Sequence, residues 1–376
     1  MKRALTVLGL AAVVVVAAYA IWQTNVHRPD TEALRVGVIL PLTGPAAFLG
    51  DAIKGGIEIA AQEYRAGVEA KPLNLQIEYA DSGGVPAQVV TAFHRLVSTK
   101  DVQAVIAVQH GVRALIPLAA RDERVLLATS VPDNNIAGQN PWTFRFFINA
   151  ETDASTIAAY ARTRLGLERC ATIFVNDEMG ISYDDSFTRH FTAGGGTVVA
   201  RESYPPAQAH FREQVLKVRE AAPDCVYLIG YGIGMANLPK QIREAGMDAT
   251  LLAVGTISQP EIMEAAGEAA DGIYYTTTKF FTFAPETPEL ERFVESFQQR
   301  YGKMPVFFEV FGHDSLRLLL LAAEKGGIDP AGLRDGLAGI RNVDLAAGEV
   351  SVGEDNDVQF PVVVKKIVDG QWTPAP

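Results

Sequence analysis

Short apolar runs rich in β-branched residues alternate with longer amphipathic runs along most of the chain. Apolar runs of about four to eight residues are typical of buried strands, whereas apolar residues at positions i, i+3 and i+4 indicate helices. Strands are predicted at 34–40, 73–79, 102–108, 125–128, 171–175, 197–203, 226–230, 251–254, 272–276 and 362–368. Helices are predicted at 50–65, 86–99, 112–121, 152–165, 182–193, 211–221, 235–245, 259–265, 290–301 and 308–324. The α/β alternation begins again near residue 152, so we expect two lobes, each a parallel sheet flanked by helices.

The segments that follow the predicted strands are the first place to look for a site. Ligands of open parallel sheets bind outside the carboxyl ends of the strands. Two lobes whose carboxyl ends face a shared cleft would therefore enclose a ligand between them. The segments in question are 41–50, 109–113, 129–133, 176–183, 230–234 and 255–258.

The amino terminus has the features of an export signal. Lys2 and Arg3 precede an uncharged and mostly apolar run over 4–22. Ala18-Tyr19-Ala20 fits a small-x-small cleavage site, but the run approaches the ~20 residues that span a bilayer. The segment 1–30 is therefore either a cleaved signal peptide or a retained anchor in the inner membrane. Both alternatives place the rest of the chain outside the cytoplasm. No cysteine stands near this segment, which excludes a lipoprotein.

The charge balance argues against a nucleic-acid partner. The 376 residues include 33 Lys and Arg against 44 Asp and Glu, which gives a net charge of -11. Binding to nucleic-acid phosphates requires a basic face, and a chain of this charge does not predict one. We therefore expect a small-molecule partner and no nucleic acid.

The sequence shows no catalytic or metal-binding motif. A G-x-S-x-G elbow and a phosphate loop ending in Gly-Lys-Ser/Thr are absent. The histidines, at 27, 94, 110, 190, 210 and 313, do not pair at i+3 or i+4, so we expect no metal site. The glycines of 230–234 resemble a dinucleotide turn, but their spacing favours a glycine-rich turn that lets the chain pass close to the cleft. We expect a protein that has no cofactor and is not an enzyme.

The two cysteines, Cys170 and Cys225, each stand directly before a predicted strand. If these strands are neighbours, the two residues lie at the same end of the sheet. In an oxidising compartment they form either a disulfide or two separate buried thiols, and the sequence leaves both alternatives open.

Several runs are similar, in order and spacing, to those of one known family. The chain reads VGVILPLTGP at 36–45, followed by Gly50-Asp51 and Gly55. Later come YAD at 79–81, QIREAG at 241–246 and AGEAADG at 266–272. Together, from about residue 34 to 360, these runs resemble the type I periplasmic binding proteins, especially the branched-chain amino acid (Leu/Ile/Val) group.

The resemblance implies a two-lobed α/β fold with three hinge crossovers that closes on a small molecule. Lobe one would comprise 34–147 plus 274–345, and lobe two would comprise 148–273 plus 346–376. It also implies a periplasmic location and contact with the permease subunits of an ABC transporter. Hinge closing around the ligand is the expected motion.

The segments that would hold an amino acid depart from the pattern of the family. In its amino-acid binders, a Ser or Thr hydroxyl of lobe one holds the ligand carboxylate and an acidic side chain of lobe two holds the ammonium. Here the corresponding loops read QHGVR at 109–113 and TSVPD at 129–133, and the acidic position falls on Gly255, beside Thr256. A buried ammonium without a carboxylate costs on the order of several kcal/mol. We therefore do not expect an ordinary α-amino acid in the usual pose.

The candidate ligand-binding residues come from the segments after the strands and from the resemblance. They are Leu49, His110, Gly111, Arg113, Val131, Asp133, Met179, Tyr183, Tyr231, Gly255, Thr256 and Phe308. Asp133 would meet a ligand cation or accept backbone amides in its own turn. Arg113 would meet a ligand carboxylate or remain in solvent. The aromatic and apolar candidates would contact the ligand or pack against their neighbours.

The expected function is that of an extracytoplasmic solute-binding protein. It would deliver a small, partly apolar organic solute, an amino acid-like compound, amide or carboxylate, to an ABC transporter. The alternative is a ligand-sensing receptor whose lobe closure signals to a membrane partner. In both cases, ligand contacts from both lobes would shift the population toward the closed form.

Overall fold

The first sheet of the computed structural model is parallel throughout. The structure describes residues 33–44, 46–67, 73–108, 111–133, 135–278 and 287–375. The strands of this sheet are β1 (Ala33–Leu40), β2 (Asn74–Asp81), β3 (Ala104–Val108), β4 (Val125–Thr129) and β5 (Thr143–Phe146). Their order is β2-β1-β3-β4-β5, so the chain adds strands on both sides of β1.

Helices cover both faces of this first sheet. The helices packed with it are α1 (Ala47–Arg65), α2 (Pro86–Lys100), α3 (Val112–Asp122), α9 (Pro288–Tyr301), α10 (Phe307–Gly326) and α11 (Pro330–Ala338). Val36 and Val38 pack on the face covered by α1 and α10, whereas Ile39 packs on the face covered by α2 and α3. This separation follows from the period of two along a strand, which sends alternate side chains to opposite faces.

Close packing against α1 fixes the position of α10. A Cβ atom on Gly56 would lie 1.9 Å from the carbonyl oxygen of Glu309, and one on Gly312 would lie 2.1 Å from that of Ile53. Only glycine allows the two backbones to approach this closely. The first turn of α10 is thereby held rigidly at the carboxyl edge of the sheet.

The second sheet is parallel at its centre and antiparallel at one edge. Its strands are β6 (Arg169–Val175), β7 (Thr197–Tyr204), β8 (Cys225–Ile229), β9 (Thr250–Ala253), β10 (Tyr274–Thr278), β14 (Val362–Val368) and β15 (Gln371–Pro374), in the order β15-β14-β10-β9-β8-β6-β7. The helices around it are α4 (Ala150–Thr163), α5 (Glu178–Ala193), α6 (Arg212–Glu220), α7 (Gly232–Glu244) and α8 (Pro260–Ala266). The predicted parallel sheet is therefore correct except for β14, which runs antiparallel to β10, and β15, which the 369–370 turn makes antiparallel to β14.

The division of the chain between the lobes differs from the predicted one at two places. Residues 274–278 were expected in lobe one, but they form β10 and pair with β9 and β14 of lobe two. Residues 346–358 were expected in lobe two, but they belong to a small sheet packed in the core of lobe one. That sheet contains β11 (Val343–Leu345), β12 (Gly348–Val352) and β13 (Val358–Gln359). Asp314 of α10 holds it in lobe one by accepting hydrogen bonds from the backbone amides of Ala346 and Ala347.

The chain consequently passes between the lobes at 147–149, between 278 and 287, and at 360–361. These are three crossovers, as the resemblance implied. The predicted export segment 1–30 lies outside the described residues. Within the described part of the chain, no helix combines the length and the apolar character needed to cross a bilayer.

Cys170 and Cys225 form a disulfide within lobe two. They lie directly opposite one another on the neighbouring parallel strands β6 and β8, with Cα atoms 4.6 Å apart. The crosslink closes a loop with a sequence separation of 55 residues. The two residues therefore occur together as a disulfide rather than as separate thiols.

Removing this disulfide should destabilise lobe two. Loop-closure entropy for a crosslink of this span corresponds to about 4 kcal/mol, and measured values for disulfides are typically about 2–4 kcal/mol. We expect the double variant Cys170→Ser/Cys225→Ser to lose that free energy of unfolding in denaturant titrations. Reductant should lower the stability of the parent chain and leave the double variant unchanged. Equal stability of parent and variant would contradict the expectation.

Candidate functional site

The carboxyl edges of the two central sheets face each other across a cleft. Arg113 lies in the first turn of α3, after β3 in lobe one, and Glu178 is the first residue of α5, after β6 in lobe two. Arg113 Nη1 lies 3.8 Å from Glu178 Oε1, so an ion pair joins the lobes at the rim of the cleft. This arrangement places the segments after the strands of both lobes around one space, as expected for open parallel sheets.

A cavity of about 50 Å³ lies between the lobes. We call it the cleft cavity. It is lined by Phe147, Ile148, Asp153, Met179, Tyr183, Val254, Gly255, Thr256, Ser258, Gln259, Phe307 and Phe308. The lining comes from the first crossover, from α10 of lobe one, and from α4, α5 and the β9–α8 segment of lobe two.

Three half-buried phenylalanines line the cavity from lobe one and the first crossover. We call Phe147, Phe307 and Phe308 the aromatic wall. The rings of Phe147 and Phe307 meet edge to face with centroids 5.5 Å apart, and those of Phe307 and Phe308 do so at 5.4 Å. Edge-to-face contacts of this kind are favourable and fix the ring positions. Glu309 supports the first turn of α10 by accepting a hydrogen bond from the Val306 amide.

A buried carboxylate lines the opposite side of the cleft cavity. Asp153 lies in the first turns of α4 and is 1% exposed. It accepts hydrogen bonds from the hydroxyls of Tyr183, at 3.1 Å, and of Thr276. No cationic side chain of the described residues pairs with it. Burial raises the pKa of Asp153 to about 7, although the two hydroxyl hydrogen bonds favour the ionised form.

The hydroxyl groups of Thr256 and Ser258, which also line the cavity, donate their hydrogen bonds to protein atoms. Thr256 Oγ1 donates to the carbonyl oxygen of Gly230 at 2.6 Å, and Ser258 Oγ donates to that of Gly255 at 2.7 Å. A hydroxyl has one hydrogen to donate and two lone pairs that accept. The lining hydroxyls therefore offer acceptor capacity to a ligand rather than donors.

Five of the predicted site residues line the cleft cavity. They are Met179, Tyr183, Gly255, Thr256 and Phe308. His110, another candidate, lies outside the described residues. The sequence prediction did not include Phe147, Ile148, Asp153, Val254, Ser258, Gln259 and Phe307. Phe147 and Ile148 could have been found from the sequence, because the apolar run Phe146-Phe147-Ile148 stands at the first crossover, directly before the helix cap Asn149.

Arg113 and Asp133 pair with each other and do not line the cleft cavity. Arg113 Nε lies 2.8 Å from Asp133 Oδ2. Asp133 Oδ1 accepts hydrogen bonds from the backbone amide of Asn135, at 2.9 Å, and from its side chain. Of the alternatives weighed from the sequence, the role of Asp133 in its own turn is the one present here, since its carboxylate is already neutralised by Arg113.

The remaining candidates also lie away from the cavity, each for a packing reason. Leu49 and Val131 are buried in hydrophobic clusters of lobe one. Gly111 adopts a left-handed conformation with φ +89° at the start of α3, where a Cβ atom would lie 2.9 Å from Pro86. Tyr231 is 41% exposed, and its hydroxyl donates to Asp177 Oδ2 at 2.7 Å.

The glycine-rich turn at 230–234 is a packing feature. A Cβ atom on Gly230 would lie 1.9 Å from the hydroxyl oxygen of Tyr204, and one on Gly234 would lie 3.1 Å from the same atom. The Tyr204 hydroxyl donates to the Ile229 carbonyl at 3.2 Å. These glycines therefore make room for Tyr204, and the close approach of this turn to the cleft stays a prediction.

A buried ion pair joins Arg145, just before the first crossover, to Asp357, just before the third. Arg145 of β5 donates to both carboxylate oxygens of Asp357, with Nε to Oδ1 at 2.8 Å, and Asn149 Nδ2 donates to Asp357 Oδ2 at 2.8 Å. Arg145 Nη1 also donates to the carbonyl of Asp133 at 2.6 Å. We call Arg145, Asn149 and Asp357 the hinge cluster. Because Asn149 caps α4, the cluster sets the position of the helix that carries Asp153.

No group of three or more His, Cys, Asp and Glu side chains in the described ranges is arranged to hold a metal ion. Two lobes that enclose a small cavity between facing sheet edges define a class of protein, the hinged small-molecule binders. The sequence profile described as periplasmic binding protein matches residues 33–371. The chain belongs to the periplasmic binding protein family, and this membership implies a periplasmic location.

Individual relatives agree with this assignment. The chain is 26% identical over 334 residues to Leu/Ile/Val-binding protein homolog 3 of Brucella melitensis, across 87% of this chain and 89% of the relative. The leucine-binding protein LivK of Thermotoga maritima has the same fold, with a TM-score of 0.80 at 24% identity, across 91% of this chain and 98% of that one. A solute-binding protein of R. palustris in complex with benzoate also has this fold. Its TM-score is 0.78 at 24% identity, across 92% of this chain and 97% of that one.

Breaking the hinge cluster should destabilise the protein strongly. The single variants Arg145→Met and Asp357→Leu each leave one buried charge unpaired, which costs about 3–5 kcal/mol. The double variant Arg145→Met/Asp357→Leu removes both charges and should recover part of that loss. Denaturant unfolding of the three variants measures this coupling. Single variants within about 1 kcal/mol of the parent would refute the role of the pair.

The pKa of Asp153 predicts a pH dependence of stability. The unfolded chain releases this proton near pH 3.8, whereas the folded protein retains it up to about pH 7. The stabilisation is therefore present below pH 3.8 and is lost as the pH rises through about 7. Relative to Asp153→Asn, the parent should lose on the order of 4 kcal/mol between pH 4 and 8 in denaturant titrations. The control Asp185→Asn removes a carboxylate that is 61% exposed and should show no such trend. A pH-independent difference between the parent and Asp153→Asn would contradict the assignment.

Proposed function

We propose that this protein captures a small, partly apolar organic solute in the cleft cavity and delivers it to the permease of an ABC transporter. The observation that carries the proposal is the lining of the cavity by both lobes. A ligand there gains contacts with both lobes only when they are closed, so its binding shifts the population toward the closed form. A permease that recognises the closed form would then receive loaded protein.

The relatives support a solute of this size and polarity. Their names include proteins that bind Leu, Ile or Val and one that was solved with benzoate. Each of these ligands combines an apolar body with a charged end. The cleft cavity offers the same combination, since both the aromatic wall and the buried Asp153 line it.

A thermal-shift screen tests the binding step. It covers amino acids, amides, amines, aromatic acids and short-chain carboxylates. A ligand at about 100 times its Kd should stabilise the protein by ~2.7 kcal/mol. Small-angle scattering should show the radius of gyration decreasing with the same compound, because the lobes close on it.

A variant that fills the cavity should abolish binding and delivery together. Met179→Trp places a larger side chain in the cleft cavity, so the ligand-induced thermal shift should disappear. The matched control Met304→Trp makes the same change at a position that is 46% exposed and should keep the shift. Cells that carry the Met179→Trp protein should also take up the compound more slowly than cells with the control. Uptake that is unaffected by Met179→Trp would contradict delivery through this cavity.

A further inference from the structure

We infer that the cleft cavity selects an organic amine, a protonated amino group on an apolar or aromatic body, with Asp153 as the group that pairs with the ammonium. This inference rests on the proposed function, because it names the class of solute that the same cavity takes. It differs from the expectation drawn from the sequence, which was an amino acid-like compound, an amide or a carboxylate.

The charge of the residues that line the cavity favours a cationic ligand. Asp153 is the one charged side chain among the described residues that line the cavity, and none of those residues is Lys, Arg or His. Its carboxylate is withdrawn from water and has two hydroxyl partners but no cationic one. A carboxylate has about four lone-pair positions, so two remain for a ligand. A buried charge of this kind is stabilised by an opposite charge within hydrogen-bond distance.

The direction of the hydrogen bonds made by the hydroxyl groups around Asp153 also favours an ammonium ligand. Tyr183 and Thr276 donate to Asp153, while Thr256 and Ser258 donate to backbone carbonyls. The three of these hydroxyls that line the cavity, on Tyr183, Thr256 and Ser258, thus direct their hydrogens into the protein and can only accept from a ligand. An ammonium group brings three donors and no acceptor, which complements this set. A ligand carboxylate would bring only acceptors and would lie beside a carboxylate of the same sign.

The arginine that was expected to meet a ligand carboxylate is paired with other side chains of the protein. Arg113 lies outside the lining and is paired with Asp133 at 2.8 Å and with Glu178 at 3.8 Å. Arg145 is held by Asp357 in the hinge cluster. The aromatic wall, in contrast, lines the cavity, and faces of aromatic rings attract organic cations.

Two matched pairs of compounds test the inference by calorimetry. Benzylamine is compared with benzoate, and 3-methylbutylamine with 4-methylpentanoate, so that each pair differs in its charged end and little else. We expect both amines to bind at least about 30-fold more tightly than their anionic partners. Asp153→Asn, which keeps the size of the side chain, should weaken amine binding by at least about 30-fold. The control Asp185→Asn loses an exposed carboxylate of α5 and should bind as the parent does.

The pH dependence in the parent protein provides a test that needs no variant. An alkylamine keeps its charge below pH 9, as a lysine side chain does. The other titratable groups that face Asp153 are Tyr183 and Tyr227, whose pKa values burial raises well above 10. Since a proton on Asp153 competes with the ligand, amine affinity should fall about tenfold per pH unit once the pH is below the pKa of Asp153.

The outcomes separate this inference from the proposed function. Tight binding of the anions without the amines, or amine binding that Asp153→Asn and pH leave unchanged, overturns the inference and leaves the proposed function standing. Failure of both amines to bind overturns the inference as well. The binding step of the proposed function fails if the complete thermal-shift screen yields no ligand, and its delivery step fails if uptake is unaffected by Met179→Trp.

Discussion

The structure depends on one geometric constraint: the carboxyl ends of the strands in the two sheets face each other across a cleft. Parallel strands end at the same edge of a sheet, so each lobe gathers its post-strand segments on one side. Three crossovers join the lobes and keep those sides opposite each other. The hinge cluster ties two of the crossovers together, because Asp357 accepts from Arg145 before the first crossover and from Asn149 within it. Lobe closure and the position of α4 are thereby connected.

Within that frame, the free energy of burying Asp153 determines what the cleft can hold. Burying a carboxylate without a cationic partner costs free energy in a protein interior. When no ligand is present, protonation of the carboxylate lowers that cost. An ammonium ligand would relieve the cost in a different way, by supplying charge and donors at the same place. The aromatic wall contributes apolar surface and ring faces on the other side. Under the proposed function, Asp153 and the aromatic wall would therefore recognise the two ends of one solute.

Much of the fold could be predicted because its strands and helices have strong periodic patterns, and the described bounds lie within a few residues of the predicted ones. The pattern failed for the helix α11, for β5, whose four residues include Arg145, and for the short strands β11 to β13 and β15. The lobe boundaries at 274 and 345 were wrong because pairing and packing across the chain decide them. In the site, segments after strands led to Met179 and Thr256. Asp153 was missed because an acidic residue near a helix start is ordinary in a sequence, and only α5 and β10 make it buried.

The most direct test of the account is a crystal structure of the protein with a bound amine. The account predicts that benzylamine lies between the aromatic wall and α5, with its nitrogen about 2.7–3.2 Å from a carboxylate oxygen of Asp153. Both lobes should contact the same molecule. A ligand bound at the rim against Arg113 and Glu178, or one in the cavity with its nitrogen directed away from Asp153, would contradict it.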